Sequence, residues 1–116
     1  MKVDNLYIHY LHSKGVQVEV SVVDAVSKEK TAAVIEQAKK AGPIGGVFIM
    51  TVVLLDAKFT NLTQQSFDDV YESKVTALNT LLGCIDPATI DFILHFSTIG
   101  SVFGNAGQAA YCASQL

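Results

Sequence analysis

Three short runs rich in β-branched and aromatic residues alternate with stretches of helical spacing, and this alternation narrows the fold more than any other feature. The runs are residues 16–23 (VQVEVSVV), 46–54 (GVFIMTVVL) and 91–96 (DFILHF). The first alternates early between apolar and polar positions, as a half-buried strand does. The second is apolar on both faces, which suits the middle of a parallel sheet. Helical stretches lie around them. Residues 3–14 end at Gly15, a residue suited to a helix C-cap. Ser27 can cap a helix over 28–41, which Gly42 and Pro43 stop. Thr63 opens the longest helix, to about residue 82, closed by Gly83, and a last helix holds Tyr111. Helices and strands taking turns in this order predict one α/β domain over residues 1–116, a parallel sheet with helices on both faces.

Composition removes several classes of function. Half of the residues are hydrophobic and 16% are charged, which is a core-forming balance. The net charge of -3 offers no basic surface, so nucleic acid is not an expected partner. Cys84 and Cys112 lie far apart without metal-ligand spacing and read as reduced thiols. No metal is expected. The N-terminal residues carry charge where a signal peptide needs an apolar run. The longest nearly uncharged apolar run, 45–55, is too short to span a bilayer. A cytoplasmic protein with no membrane contact is expected.

The residues that carry chemistry converge near the C-terminus. The run 91–96 ends in two hydroxyl residues, Ser97 and Thr98, followed by a loop holding Gly100, Gly104 and Gly107 and then by Tyr111. Open α/β sheets bind ligands beyond the carboxyl ends of their strands. At 100° per residue, Phe67, Val70, Tyr71, Val75, Leu78, Leu81 and Leu82 share one side of the long helix, and Lys74 falls inside that stripe. A lysine on an apolar face snorkels, pairs or works. Reducing a ketone needs a proton donor on the carbonyl oxygen, a second hydrogen bond to hold that oxygen, and a positive charge that keeps the donor acidic. Tyr111, Ser97 or Thr98, and Lys74 are residues of those three types. His9 and His12 read as a solvated helix face. Asp24, at the end of the first run, either caps a loop or touches a ligand at the sheet edge.

The segment GPIGGVFIMTVVLLDAKFTNLTQQSFDDVYESKVTALNTL, with DFILHFSTIGSVFGNAGQAAYCASQ after it, resembles the ketoreductase domains of type I polyketide synthases and fatty acid synthases, members of the short-chain dehydrogenase/reductase superfamily. The resemblance covers roughly residues 15–116 and rests on several motifs in order. It implies a Rossmann-like sheet in which Tyr111 is the proton donor and Lys74, in YESKVTAL, is the lysine of the long helix. Thr98 stands 13 positions before Tyr111, where the family carries its active hydroxyl, and Ser97 beside it points to the other face of the strand. Gln115 stands at the family's asparagine, four residues past the tyrosine. Asp24 resembles the acidic residue that approaches the adenine, and Met50, Thr51 and Val52 stand where reductases line the cofactor. NADPH is the implied cofactor. A β-ketoacyl chain on an acyl carrier protein is the implied substrate, within a multidomain synthase.

Departures from the family bear on activity. Thr98 adds a methyl group that restricts χ1, Gln115 lengthens the amide arm, and Val52 stands where glycine is common. Leu55 precedes Asp56 where one stereochemical class carries an Asp-Asp pair. No G-x-G-x-x-G or similar phosphate loop occurs in the chain. In the sheet order 3-2-1-4-5-6, the first two strands and the strand after the last helix are absent, which leaves residues 16–23 without neighbours and exposes an edge on 46–54. Three readings follow. The chain is a piece of a ketoreductase domain, inactive alone. Or it is a catalytically dead product kept as an interaction module, self-associating through its open edge. Or it is an unrelated small α/β fold that binds a nucleotide differently.

Overall fold

A computed structural model describes residues 5–116. Helix α1 spans Asn5–Ser13 and α2 spans Lys28–Ala41, with Ser27 Oγ accepting a hydrogen bond from the Lys30 amide at its N-terminus. The expected start of α1 at residue 3 lies outside the described residues. Strand β1 covers Gly46–Ile49 and β2 covers Phe92–His95. Between them runs one long helical stretch. Thr63 opens it with a reciprocal cap: its hydroxyl accepts from the Ser66 amide, and the Ser66 hydroxyl accepts from the Thr63 amide, both at 3.1 Å. Helix α3 (Gln64–Tyr71) follows, then a π-helical turn (Glu72–Thr76), then α4 (Ala77–Leu82). After β2 come a short helix α5 (Gly100–Phe103) and α6 (Ala109–Ser114). No described helix is long and apolar enough to cross a membrane.

The two strands pair in parallel, with Gly46 opposite Phe92 and Ile49 opposite His95. Side chains alternate across the pleat, so Val47 and Ile49 share a face with Ile93 and His95. Ile49 on that face is buried in the core with Ile35 of α2, Val70 of α3, Ala77 of α4, and Ala110 and Cys112 of α6. The opposite face carries Phe48, Phe92 and Leu94, which stay 58%, 46% and 46% exposed. Phe48 and Phe92 meet edge to face there, ring centroids 5.2 Å apart.

The sheet is smaller than the sequence predicts. Residues 16–23 are extended, but no described strand pairs with them. Their anchors are local, Val16 N to Leu11 O at 3.0 Å and Val18 N to His12 Nε2 at 3.4 Å. A strand exists by its ladder of hydrogen bonds, and β-branched residues alone do not supply one. The second predicted strand, 46–54, is paired only to Ile49, whose carbonyl accepts from Phe96 N at 3.1 Å in the last rung. The radius of gyration is 16.5 Å, against about 13 Å for a compact domain of this length. The chain is therefore less compact than a self-contained domain of its length.

Candidate active site

Lys74 reaches the carboxyl ends of both strands. It sits in the π turn, is 2% exposed, and its Nζ donates to the Phe96 carbonyl at 2.5 Å and to the Ile49 carbonyl at 3.5 Å. A π turn holds one residue more than an α turn and re-aims the side chains after it; such turns recur at functional sites. Val70, Lys74 and Ala77 are the buried line of this helix, whereas Tyr71, expected on the apolar side, is 42% exposed and stacks on Phe67. Burial lowers the Lys74 pKa from its ordinary value. The lysine neither snorkels to solvent nor meets a carboxylate among the described residues. It caps strand ends.

A cavity of about 210 Å³ opens at this point, lined by Met50, Val52, Lys74, Phe96, Ser97, Tyr111 and Gln115. The ammonium side chain and the phenol, from different segments, thus share one cavity beyond the carboxyl edge of the sheet. An ammonium has three N–H donors, and Lys74 commits two of them to backbone carbonyls. Tyr111 is carried by α6, which packs on α3 through its small residues; Ala110, Cys112 and Ser114 are buried.

The two hydroxyls divide their work. Ser97 lines the cavity but donates its proton to the Gln115 carbonyl at 2.7 Å, strapping the end of β2 to the end of α6. Thr98 Oγ1 accepts from Gly100 N at 3.2 Å in the turn ahead of α5, and Thr98 is not among the residues that line the cavity. Gln115 is 4% exposed and its amide donates to Ser114 Oγ at 3.1 Å.

Of the residues expected to line a cofactor, Met50 and Val52 border the cavity, exposed and apolar. Thr51 does not border it; its Oγ1 is buried with no hydrogen-bond partner among the described residues. Asp24 lies apart. Its carboxylate accepts from Val26 N at 3.1 Å and its carbonyl from Ser27 N at 3.1 Å, a local turn that leads into α2. The loop-capping alternative describes its geometry.

Two features escaped sequence reasoning. His95 lies on the core face of β2, its Nε2 buried without a described partner, and its pKa is lowered by burial and then by the Lys74 charge. A histidine inside an apolar run is the signal that could have found it. The second is a clamp: Gln108 Nε2 donates to Asp56 Oδ2 at 2.9 Å and Ala57 N to Gly107 O at 2.9 Å, holding the loop after β1 against the loop ahead of Tyr111. Nothing in the spacing of residues 52 apart announces it.

Comparison with known proteins identifies the family to which this fold belongs. A family model described as the KR domain matches residues 2–115. The polyketide synthase-nonribosomal peptide synthetase TwmB of Talaromyces wortmannii is 34% identical over 90% of this chain, and fusarin C synthetase of Gibberella moniliformis 31% over 98%. The chain spans only 4% and 3% of those relatives. Among solved structures, an A-type ketoreductase from a modular polyketide synthase superposes with a TM-score of 0.87 at 28% identity, over 96% of this chain and 24% of that one. An N-terminal ketoreductase from the macrolactin assembly line superposes with a TM-score of 0.88 at 24% identity, which speaks to fold alone, over 96% of this chain and 23% of that one. An unrelated α/β fold is set aside by these matches. The chain belongs to the KR domain family, the ketoreductase domains of polyketide synthases, and represents a short part of such a domain.

Proposed function

We propose that this chain is the catalytic-side part of an NADPH-dependent ketoreductase domain that reduces a β-keto group to a β-hydroxy group on a carrier-bound acyl chain, and that it turns over no substrate by itself. The observation that carries the reading is the single cavity bordered by both Lys74 and Tyr111 at the carboxyl edge of a parallel sheet. In this scheme Tyr111 gives its phenolic proton to the carbonyl oxygen, and Thr98, which does not line the cavity in this structure, takes the role of holding that oxygen by the family resemblance alone. Ser97 and Gln115 hold β2 against α6 and so fix the distance from strand to tyrosine. Lys74 places positive charge under the cavity.

The residues present fit one end of a dinucleotide. The cavity walls at Met50 and Val52 suit the flat face of a nicotinamide at the ends of the strands, whereas the buried Thr51 hydroxyl lies outside the cavity. The pyrophosphate finds no glycine-rich loop in this sequence. When bound, NADPH supplies the hydride. Asp24, turned into its own loop, is the weakest of the cofactor assignments.

The test has two parts. The isolated chain, given NADPH and a simple cyclic ketone, is expected to oxidise no cofactor; oxidation abolished by Tyr111→Phe would overturn that expectation. Grafted in place of the aligned stretch of the A-type ketoreductase, the chain is expected to support reduction that Tyr111→Phe and Lys74→Met each abolish. An active graft indifferent to Tyr111→Phe removes the proton donor. A second reading, a dead reductase kept as an interaction module, is favoured by the exposed apolar face of β1 and β2; self-association without NADPH binding would select it.

A further inference from the structure

We propose that Gly100 and Cys112 are positioning residues for Tyr111: the thiol, lying against a glycine that has no side chain, sets how closely α6 stands to the end of β2. The proposal rests on the reading of Tyr111 as the proton donor of a ketoreductase site. Three observations carry it. First, a methyl group built on Gly100 would lie 3.1 Å from Cys112 Sγ and 3.5 Å from both Oγ1 and Cγ2 of Thr98. An unstrained non-bonded contact needs about 3.5–4.0 Å. Gly100 is not among the glycines with positive φ, so alanine can adopt its backbone conformation, and alanine is the better helix former at the start of α5. What the glycine supplies here is room for the sulfur.

Second, the contact joins the two segments that bear the chemistry. Cys112 is buried and follows Tyr111 directly on α6. Gly100 donates its amide to Thr98 Oγ1 at 3.2 Å, in the turn that leads away from β2. Third, it is one of two ties between the same segments. Ser97 Oγ donates to the Gln115 carbonyl at 2.7 Å, past the last residue of α6. A helix of six residues has little stiffness of its own. Tied at one point it can pivot, and the phenol with it. The thiol against Gly100 is the second point, one residue from Tyr111. Relieving a methyl group there takes a displacement of about 0.4 Å, from 3.1 Å to the lower end of the unstrained range. Misplacement by about 1 Å costs on the order of a hundredfold in rate, which scales to about sixfold for 0.4 Å.

The experiment uses the whole chain. In a Cys84→Ser background Cys112 is the one thiol left. There Gly100→Ala is expected to speed the reaction of Cys112 with an aromatic disulfide reagent about tenfold, as α5 and α6 part. In the chain with carbon-13 tyrosine, Gly100→Ala is expected to move the ring resonances of Tyr111 and to leave those of Tyr7, Tyr10 and Tyr71 in place. In a Cys112→Ala background the new methyl meets no sulfur, and the same Gly100→Ala change is expected to leave the Tyr111 ring where it was. Carried in the ketoreductase graft, Gly100→Ala should lower kcat about sixfold with KM unchanged, and should not lower it once residue 112 is alanine. Unaltered thiol reactivity, an unmoved Tyr111 ring, an equal shift in the Cys112→Ala background, or an unchanged kcat in an active graft would each overturn the proposal. An inactive graft counts against the ketoreductase reading alone, because the thiol and the ring signals come from the chain itself.

Discussion

Lys74 and His95 are two basic side chains brought close together at the carboxyl end of the sheet. Burial lowers both pKa values, and the Lys74 charge lowers that of His95 further. For a base with a lowered folded pKa, the unfolded chain binds more protons in the window between the folded and unfolded values, so stability rises with pH there. His95 should therefore cost stability as pH falls from 6.5 through its lowered value, and Lys74 should return stability as pH climbs toward 10.5. Lys74→Met is expected to raise the His95 pKa while burial keeps it below 6.5, read by NMR titration of the imidazole; an unmoved titration would separate the two residues. Thr51 offers a different test. Its buried hydroxyl has no described partner, so Thr51→Val removes an unsatisfied group at nearly equal shape. Urea unfolding should show no loss and a gain of up to about 1 kcal/mol; a loss beyond that would reveal a hidden hydrogen bond. The importance of Lys74 was legible in the sequence, because a charge inside an apolar stripe demands a reason. Its posture was not, since the π turn leaves no mark on 100° spacing.

Helices were read more accurately than strands, for a physical reason. A helix makes its hydrogen bonds within itself, so caps and periodicity in one segment suffice. Ser27, Thr63, Gly42 and Gly83 stand at the ends of α2 and of the long helix as expected. A strand is completed by another segment, and residues 16–23 have the right residues but no described partner. The glycine-rich loop ahead of the last helix holds a short helix that its glycines did not announce: α5 ends at Gly104 (φ +73), and Gly107 (φ +79) leads on to α6. The reciprocal cap at Thr63 gives a prediction for the element that presents Lys74. Thr63→Ala removes the acceptor for the Ser66 amide and is expected to cost about 1 kcal/mol in thermal or urea unfolding. Ser66→Ala should cost less, because it leaves the stronger half of the cap. Equal costs would mean that both halves act as one unit.

The molecule as a whole is lopsided, and that asymmetry can be measured on adjacent residues of one strand. Ile49 is 5% exposed and packs in the core beneath the sheet; Phe48, its neighbour, faces outward at 58%. If the isolated chain keeps its outer face bare, Ile49→Ala should cost about 2–5 kcal/mol through lost burial and a residual cavity. Phe48→Thr should cost only about 1 kcal/mol, chiefly the edge-to-face contact with Phe92. Threonine keeps strand propensity, so the comparison isolates the face rather than the ladder. The measurement is denaturant unfolding at several protein concentrations. Comparable costs for the two substitutions, with a midpoint for Phe48→Thr that no longer depends on concentration, would mean that copies of the chain cover this face in solution. The predicted inequality instead means that the face carrying Phe48 stays bare in the isolated chain.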